Sequence, residues 1–303
     1  RITAIDAREA ERAAGVVRVF THLNAGRLGK AAAAGGPPQW SWPLQSERVF
    51  FNGQPIALVV AETYEQARHA ARLVKVSYQA EPHTTDLEAV LGRAEPSPQN
   101  TPPRGDPAGA LQAAAVRVES EYRIPIEHHN PMEPHAAIAF WEGNQLTIFD
   151  KTQNVYGVQK HLAEGLGVPA ENIRVVSPFV GGAFGSSLKP NYYPSLTAMA
   201  ARELKRPVKV VFTRAQMFTG HGYRPQTIQK VALGADRSGK LQAIVHEAFH
   251  NTSSFESFSD NTTGFLKQVY ACPNLHAPLK VAATDLATPT WMRAPGAVSG
   301  MFA

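Results

Sequence analysis

Ile173-Arg174-Val175-Val176-Ser177-Pro178-Phe179-Val180-Gly181-Gly182-Ala183-Phe184-Gly185-Ser186 runs from a β-branched stretch straight into a glycine-rich loop. Beyond a polar stretch, Pro194 to Leu204 places Leu196, Met199, Ala200 and Leu204 on one helical stripe. The local order is therefore strand, glycine-rich loop, helix. Glycine lets a backbone approach an anion and adopt positive φ, so that successive N–H groups point at one spot. That is a phosphate cradle in principle, although the glycines alone favour an ordinary structural turn. No Gly-Lys-Ser/Thr follows at Walker spacing, and Gly-x-Gly-x-x-Gly is absent, which disfavours a P-loop and a Rossmann dinucleotide site.

Outward from the loop, the pattern stays mixed. Val116 to Tyr122 and Ala136 to Trp141 alternate like strands, and Gly143-Asn144 makes a hairpin turn before Leu146 to Phe149. Val155 to Leu166 reads as a helix and Val208 to Phe212 as a strand. Thr227 to Leu233 and Leu241 to Phe249 form a hairpin across Asp236-Arg237-Ser238-Gly239. Upstream, residues 1–80 read as a small α/β unit: a short helical stretch from Arg8 to Ala13, a strand from Gly15 to Thr21, a Gly/Ala/Pro loop from Ala25 to Pro43, and a buried strand from Ile56 to Ala61. Thr63 caps the next helix, which runs to about Leu73, and Gln66 completes a capping box. Val74 to Tyr78 closes the unit as a strand. Prolines crowd residues 81–117, notably Glu95-Pro96-Ser97-Pro98 and Thr101-Pro102-Pro103, and mark an irregular linker. The fold class expected is α+β, with a small α/β domain at 1–80, the linker at 81–117 and a larger mixed α/β domain from 118 to 303.

Composition excludes several roles. No apolar run in the 303 residues approaches the ~20 that a membrane span needs, and Ile56 to Ala61 is the longest clean one. The net charge of +5 is spread along the chain with no run of five Lys or Arg, which argues against nucleic acid as a partner. The single cysteine, Cys272, cannot make an internal disulfide, a Cys-ligated zinc site or an iron–sulfur cluster. Any such cluster belongs on another polypeptide. Arg1 opens the chain and Gly300-Met301-Phe302-Ala303 closes it without the look of a natural stop, so both ends are expected to be cut.

Three further stretches carry polar chemistry. Gln153, in Thr152-Gln153-Asn154 between a strand and a helix, can donate and accept at once, which suits an oxo or pterin ligand as well as an ordinary helix start. Arg293, in Trp291-Met292-Arg293-Ala294-Pro295-Gly296, sits in a Pro/Gly turn from which a guanidinium can fork onto a phosphate or pterin oxygen, or simply face solvent. Glu127-His128-His129-Asn130-Pro131-Met132-Glu133-Pro134-His135 has the residue types of a metal site. Its prolines break any helix, so the i, i+4 ligand geometry is absent and no metal ligand is assigned.

In this order the pieces resemble the molybdopterin-binding large subunit of the xanthine dehydrogenase and aldehyde oxidase family, nearest its bacterial periplasmic aldehyde oxidoreductase type. His129 to Pro134 resembles the family's His-x-x-Met-Glu-Pro stretch, Thr152-Gln153 its Thr-Gln, Gly181 to Gly185 its Gly-Gly-Gly-Phe-Gly loop, and Arg293 to Gly296 its Arg-Ala-Pro-Gly segment. Residues 15–80, with Phe51 to Ala61, resemble its α/β hammerhead domain. The resemblance implies molybdopterin held through Gln153, Gly181, Gly182, Ala183, Phe184, Gly185 and Arg293, in the cytosine dinucleotide form. It implies hydroxylation of aldehydes or aromatic heterocycles with water-derived oxygen, and 2Fe–2S and FAD carried on an iron–sulfur subunit and an FAD subunit. The family's glutamate base lies in a later segment, so no catalytic residue is assigned within Arg1–Ala303, and Glu133 is given a supporting role. Ala183 stands in place of a third glycine, and leaves the loop's N–H groups usable if its φ stays negative. Leu188 stands where purine-oxidising relatives carry a carboxylate, which leans away from xanthine. A non-redox phosphate- or nucleotide-binding module and a non-catalytic truncated remnant are the alternatives.

Overall fold

Thr63 decides where a strand gives way to a helix. Its hydroxyl accepts the Gln66 N–H at 3.2 Å, and the Gln66 side chain accepts the Thr63 N–H at 3.1 Å. Two backbone donors that the first turn cannot use are thereby satisfied. Thr63→Ala is expected to lower stability by about 1 kcal/mol, read as a lower urea midpoint at unchanged slope. An unmoved midpoint would mean that the box does not form in solution.

A computed structural model describes residues 1–29, 42–100 and 102–303. Residues 30–41 of the Gly/Ala/Pro loop, and Thr101 of the proline-rich stretch, lie outside the described residues. The chain divides into two compact units, each made of two separate stretches: 1–82 with 130–221, and 83–129 with 222–303.

In the first unit the opening stretch forms β1 (Ile2–Asp6), α1 (Arg8–Glu11), β2 (Val16–Thr21), β3 (Ala57–Ala61), α2 (Tyr64–Ala71) and β4 (Lys75–Tyr78). β1 pairs with β4 and β2 with β3, both antiparallel. Ala10, Val19 and Ala70 are buried together, with Val59, Leu73 and Val74 packed around them. In the second unit a 3-10 turn at Glu88–Arg93, β5 (Glu95–Pro96), α3 (Pro107–Ala113) and β6 (Val116–Ile124) come first. The proline-rich stretch thus carries regular structure. Asp106 caps α3 by accepting the Gly109 N–H, and Pro107 begins it, where a missing N–H costs nothing. Leu87 and Val90 are buried with Ile228, Phe249 and Ala282. Two apolar side chains in one short turn are too few to show a period in the sequence.

The first unit resumes with β7 (Ala136–Glu142), β8 (Gln145–Asp150), α4 (Val155–Leu166), β9 (Ile173–Val176), α5 (Tyr192–Leu204), β10 (Val208–Val211) and α6 (Gln216–Thr219). Its sheet runs β10-β7-β8-β9, with β8 and β9 parallel and α4 as their crossover. α5 starts two residues before the expected Pro194, because Asn191 caps it and proline is tolerated in the first turn. Its residues from Tyr192 to Ala201 are buried. The second unit ends with β11 (Thr227–Ala235), β12 (Leu241–Ser253), α7 (Leu266–Val269), β13 (Asn274–His276), β14 (Leu279–Thr284) and α8 (Ala297–Phe302). Its sheet runs β5-β14-β12-β11-β6, with β13 also on β12. Among the described residues no helix is long and apolar enough to cross a membrane.

Candidate functional site

In open sheets, ligands gather outside the carboxyl ends of parallel strands. Gln153 follows the end of β8, and the loop at 181–185 follows the end of its parallel neighbour β9. β7 runs the other way, and Ala137 pairs with Asp150, so Glu133 enters at this same end. The first unit therefore brings together Gln153, Gly181, Gly182, Ala183, Phe184 and Gly185.

The loop is held at both ends by its own protein. Glu133 donates its N–H to the Gly181 carbonyl at 3.0 Å, and its carboxylate accepts the Gly181 N–H at 2.5 Å. A Cβ at Gly181 would sit 2.8 Å from the Glu133 Cβ, so this clasp requires glycine. At the other end the Gly185 N–H donates to Gln153 Oε1 at 3.2 Å. An N–H can only donate, so this bond turns the Gln153 oxygen toward the loop and leaves its NH₂ as the side chain's remaining donor. The Gln153 N–H and the Thr152 hydroxyl both donate to the Ser187 carbonyl, and the Asn154 amide donates to the Leu188 carbonyl. The loop's far side thus hangs from the β8–α4 junction.

Between the two ends lie three consecutive N–H groups, those of Gly182, Ala183 and Phe184. No acceptor among the described residues meets them. Gly182 has φ +86°, Ala183 stays outside the positive region, and Phe184 has φ +58°. Alternation of this kind builds anion-binding nests. The sequence drew attention to the glycines, yet a phenylalanine takes one of the left-handed positions, at a cost of about 1–2 kcal/mol. Its ring is about half exposed. The sequence carries no signal for this, because a bulky residue is the last expected at such a φ.

Three neighbours that sequence reasoning did not assign support the clasp. The Lys151 ammonium donates to the Glu133 carbonyl at 2.9 Å. Arg214 donates to Asn130 Oδ1 and to the carbonyls of Pro131 and Met132. Asp150 is buried beside them. Burial pushes the Asp150 carboxyl up to about 7, against the pull of the Tyr193 hydroxyl and the Lys151 ammonium. Burial likewise pulls the Lys151 ammonium down to about 8, against the nearby Glu133 and Asp150 carboxylates.

A carboxyl raised by folding from 3.8 to about 7 makes the folded state the tighter proton binder. Its contribution is complete below the unfolded value and is lost as pH rises through 7. Stability is expected to fall between pH 5 and pH 7 by up to about 1.4 kcal/mol per pH unit. Asp150→Asn is expected to flatten that slope in thermal melts, and an unchanged slope would rule out Asp150 as its source. The lowered Lys151 acts with the opposite sign and above pH 8.

Arg293 belongs to the second unit. Its side chain is exposed, and among the described residues no hydrogen-bond or ion-pair partner meets its guanidinium. Its carbonyl accepts from Arg224 at 2.7 Å. The His-rich run is shared out: His129 contacts the Trp291 carbonyl in the second unit, while His135 is buried in the first, stacked on Tyr193. Among the described residues no group of three or more His, Cys, Asp or Glu side chains is placed to hold a metal ion. Leu188 is partly exposed and brings no carboxylate to the loop.

The chain matches two family descriptions: "Molybdopterin cofactor-binding domain" over residues 94–303, and "Aldehyde oxidase and xanthine dehydrogenase, a/b hammerhead domain" over residues 1–82. It is 39% identical over 313 residues to the aldehyde oxidoreductase molybdenum-binding subunit PaoC of Escherichia coli (strain K12), covering 100% of this chain and 41% of that protein. It is 29% identical over 328 residues to the 6-hydroxypseudooxynicotine dehydrogenase complex subunit gamma of Paenarthrobacter nicotinovorans, again covering 100% and 41%. Among solved structures, the aldehyde oxidoreductase from Desulfovibrio gigas superposes with a TM-score of 0.83 at 27% identity, over 100% of this chain and 36% of that one. The chain thus spans about two-fifths of the length of the curated relatives it matches. The α+β class, with a hammerhead domain ahead of a molybdopterin-binding domain, agrees with the expectation from sequence.

Proposed function

Because the chain belongs to the aldehyde oxidase and xanthine dehydrogenase family of molybdopterin-binding proteins, we propose that the loop at 182–184 holds a polar or anionic group of molybdopterin in an oxidoreductase that hydroxylates aldehydes or aromatic heterocycles. The observation that carries this reading is the row of three unpaired N–H donors at the carboxyl end of a parallel strand pair. Successive N–H groups without protein acceptors are free to donate together to one ligand oxygen.

When bound, the cofactor supplies the redox centre, and this chain's residues supply its setting. Gln153, turned by its bond to Gly185, directs an NH₂ donor to an oxo group or to the pterin. Gly181 and Gly185 hold the loop's shape, while Gly182, Ala183 and Phe184 donate. The free guanidinium of Arg293 contacts the cofactor or orients substrate. Glu133 is committed to Gly181, which supports a holding role for it. Working domain limits are 1–80 and 118–303, with 81–117 between them; the family match at 1–82 supports the first, while the match at 94–303 extends the second domain back into the proline-rich stretch.

The finer assignments follow the same reading. The single cysteine supports 2Fe–2S on a separate iron–sulfur subunit, and FAD is assigned to an FAD subunit by the family resemblance. The names of two relatives, a molybdenum-binding subunit and a complex subunit gamma, support a heteromeric setting. The partly exposed Leu188 supports aldehydes or heterocycles over purines. The cytosine dinucleotide form completes the proposal. The test is mild acid release from protein purified out of molybdopterin-producing cells. Oxidised pterin fluorescence with equimolar cytidine monophosphate is expected. A phosphorylated ligand without pterin would overturn the reading, and pterin without the cytidine nucleotide would overturn the dinucleotide form alone.

A further inference from the structure

The turn that presents Arg293 is pinned along its backbone by buried groups of the second unit. The Thr290 N–H donates to the Tyr223 carbonyl at 2.9 Å. His129 Nε2 meets the Trp291 carbonyl at 2.7 Å, and the Gly296 N–H donates to Asp260 Oδ2 at 2.9 Å. Between these lies a carbonyl contact to a charged group. Arg224 Nη2 donates to the Arg293 carbonyl at 2.7 Å, while its Nη1 donates to Glu127 Oε2 at 2.9 Å. Arg224 is 4% exposed, and its backbone is bridged to Glu127 in both directions. Ala294, the next residue of the turn, has φ +54°. A non-glycine residue keeps that conformation only where its surroundings over-determine it.

We propose that Arg224 is a positioning residue. Its guanidinium, oriented by Glu127, fixes the Arg293 backbone so that the exposed Arg293 side chain meets an anionic group of the cofactor. This rests on the reading of Arg293 as a cofactor contact. A planar fork serves two acceptors in fixed directions at once, which a lysine ammonium on a flexible stem does not. The identity of residue 224 therefore matters beyond its charge.

The experiment compares Arg224→Lys, Arg293→Ala and the double variant, each purified from molybdopterin-producing cells. Two quantities are read: pterin content, and amide hydrogen exchange across residues 227–296. Arg224→Lys is expected to speed exchange at least tenfold within 290–296 and to leave β11 and β12 unchanged, which also reports that the unit is folded. It is expected to lower pterin content several-fold, as Arg293→Ala does. The double variant is expected to lose no more than Arg293→Ala alone, because the two residues act through one contact. Full pterin in Arg224→Lys beside a loss in Arg293→Ala overturns the inference and leaves the Arg293 reading standing. Additive losses, or faster exchange throughout β11 and β12, overturn it too, by making Arg224 a general support of the fold. Full pterin in Arg293→Ala overturns the Arg293 reading, and the inference with it.

Discussion

Gly182→Val is expected to leave the purified protein with less than about a tenth of its molybdopterin, a loss that corresponds to more than about 1.4 kcal/mol of binding. Gly182 sits at φ +86°, where a β-branched residue is strongly disfavoured. Space alone does not forbid one methyl. A Cβ there would lie 3.4 Å from Phe184 Cε2 and 3.5 Å from the Pro131 Cβ, both ordinary contacts. The two further carbons of valine have Phe184 and Pro131 as neighbours, and the backbone relaxes toward negative φ. That relaxation turns the N–H groups of Gly182 and Ala183 away from their common direction. The clasp at Gly181 and the bond at Gly185 lie outside the altered residue, so the melting temperature is expected to move by only a few degrees. Gly182→Ala is expected to fall between. Molybdenum and pterin at wild-type levels in Gly182→Val would remove the loop from the cofactor site.

The second large effect is expected at Glu133. Removing its carboxylate in Glu133→Ala frees the Gly181 N–H and unfastens one end of the loop. Gly181 is exposed, so water can replace the lost acceptor, and the stability cost stays near about 1 kcal/mol. Cofactor retention is expected to suffer more, by about tenfold, because the open donors lose a fixed neighbour and binding must then order the loop. Glu133→Gln keeps an acceptor at the same reach and is expected to recover most of the retention. A Gln variant as poor as the Ala variant would show that the charge, and not the accepted hydrogen bond, is what the site needs.

What could be read from sequence follows the distance between partners. The Thr63–Gln66 capping box is complete within four residues, and it formed as expected. The hairpin read from Thr227 to Leu233 and from Leu241 to Phe249 and the strand–loop–helix order around Gly181 also rest on neighbours; both form, with the hairpin strands running on to Ala235 and Ser253. Pro194 marks the start of α5 in the sequence pattern, but the helix begins two residues earlier because Asn191 supplies the cap. The groups that hold the loop are a different matter. Glu133 reaches Gly181 across 48 residues, and Arg224 reaches Arg293 across 69. No local pattern announces such pairs. The loop's glycines pointed to the right segment, but they credited all five residues alike. Hydrogen bonding separates them, with Gly181 and Gly185 committed to side chains and Gly182, Ala183 and Phe184 left open. The Phe184 backbone, with its positive φ, lies wholly outside what composition suggests.

The most direct test of this account is residue-resolved amide exchange through the loop, with and without bound molybdopterin. The N–H groups of Gly181 and Gly185 are expected to be protected in both states, by Glu133 and Gln153. Those of Gly182, Ala183 and Phe184 are expected to exchange freely without cofactor and to slow by at least about tenfold when it binds, as new hydrogen bonds form. Protection that leaves 182–184 unchanged on cofactor binding, or that appears only at Gly181 and Gly185, would contradict the account.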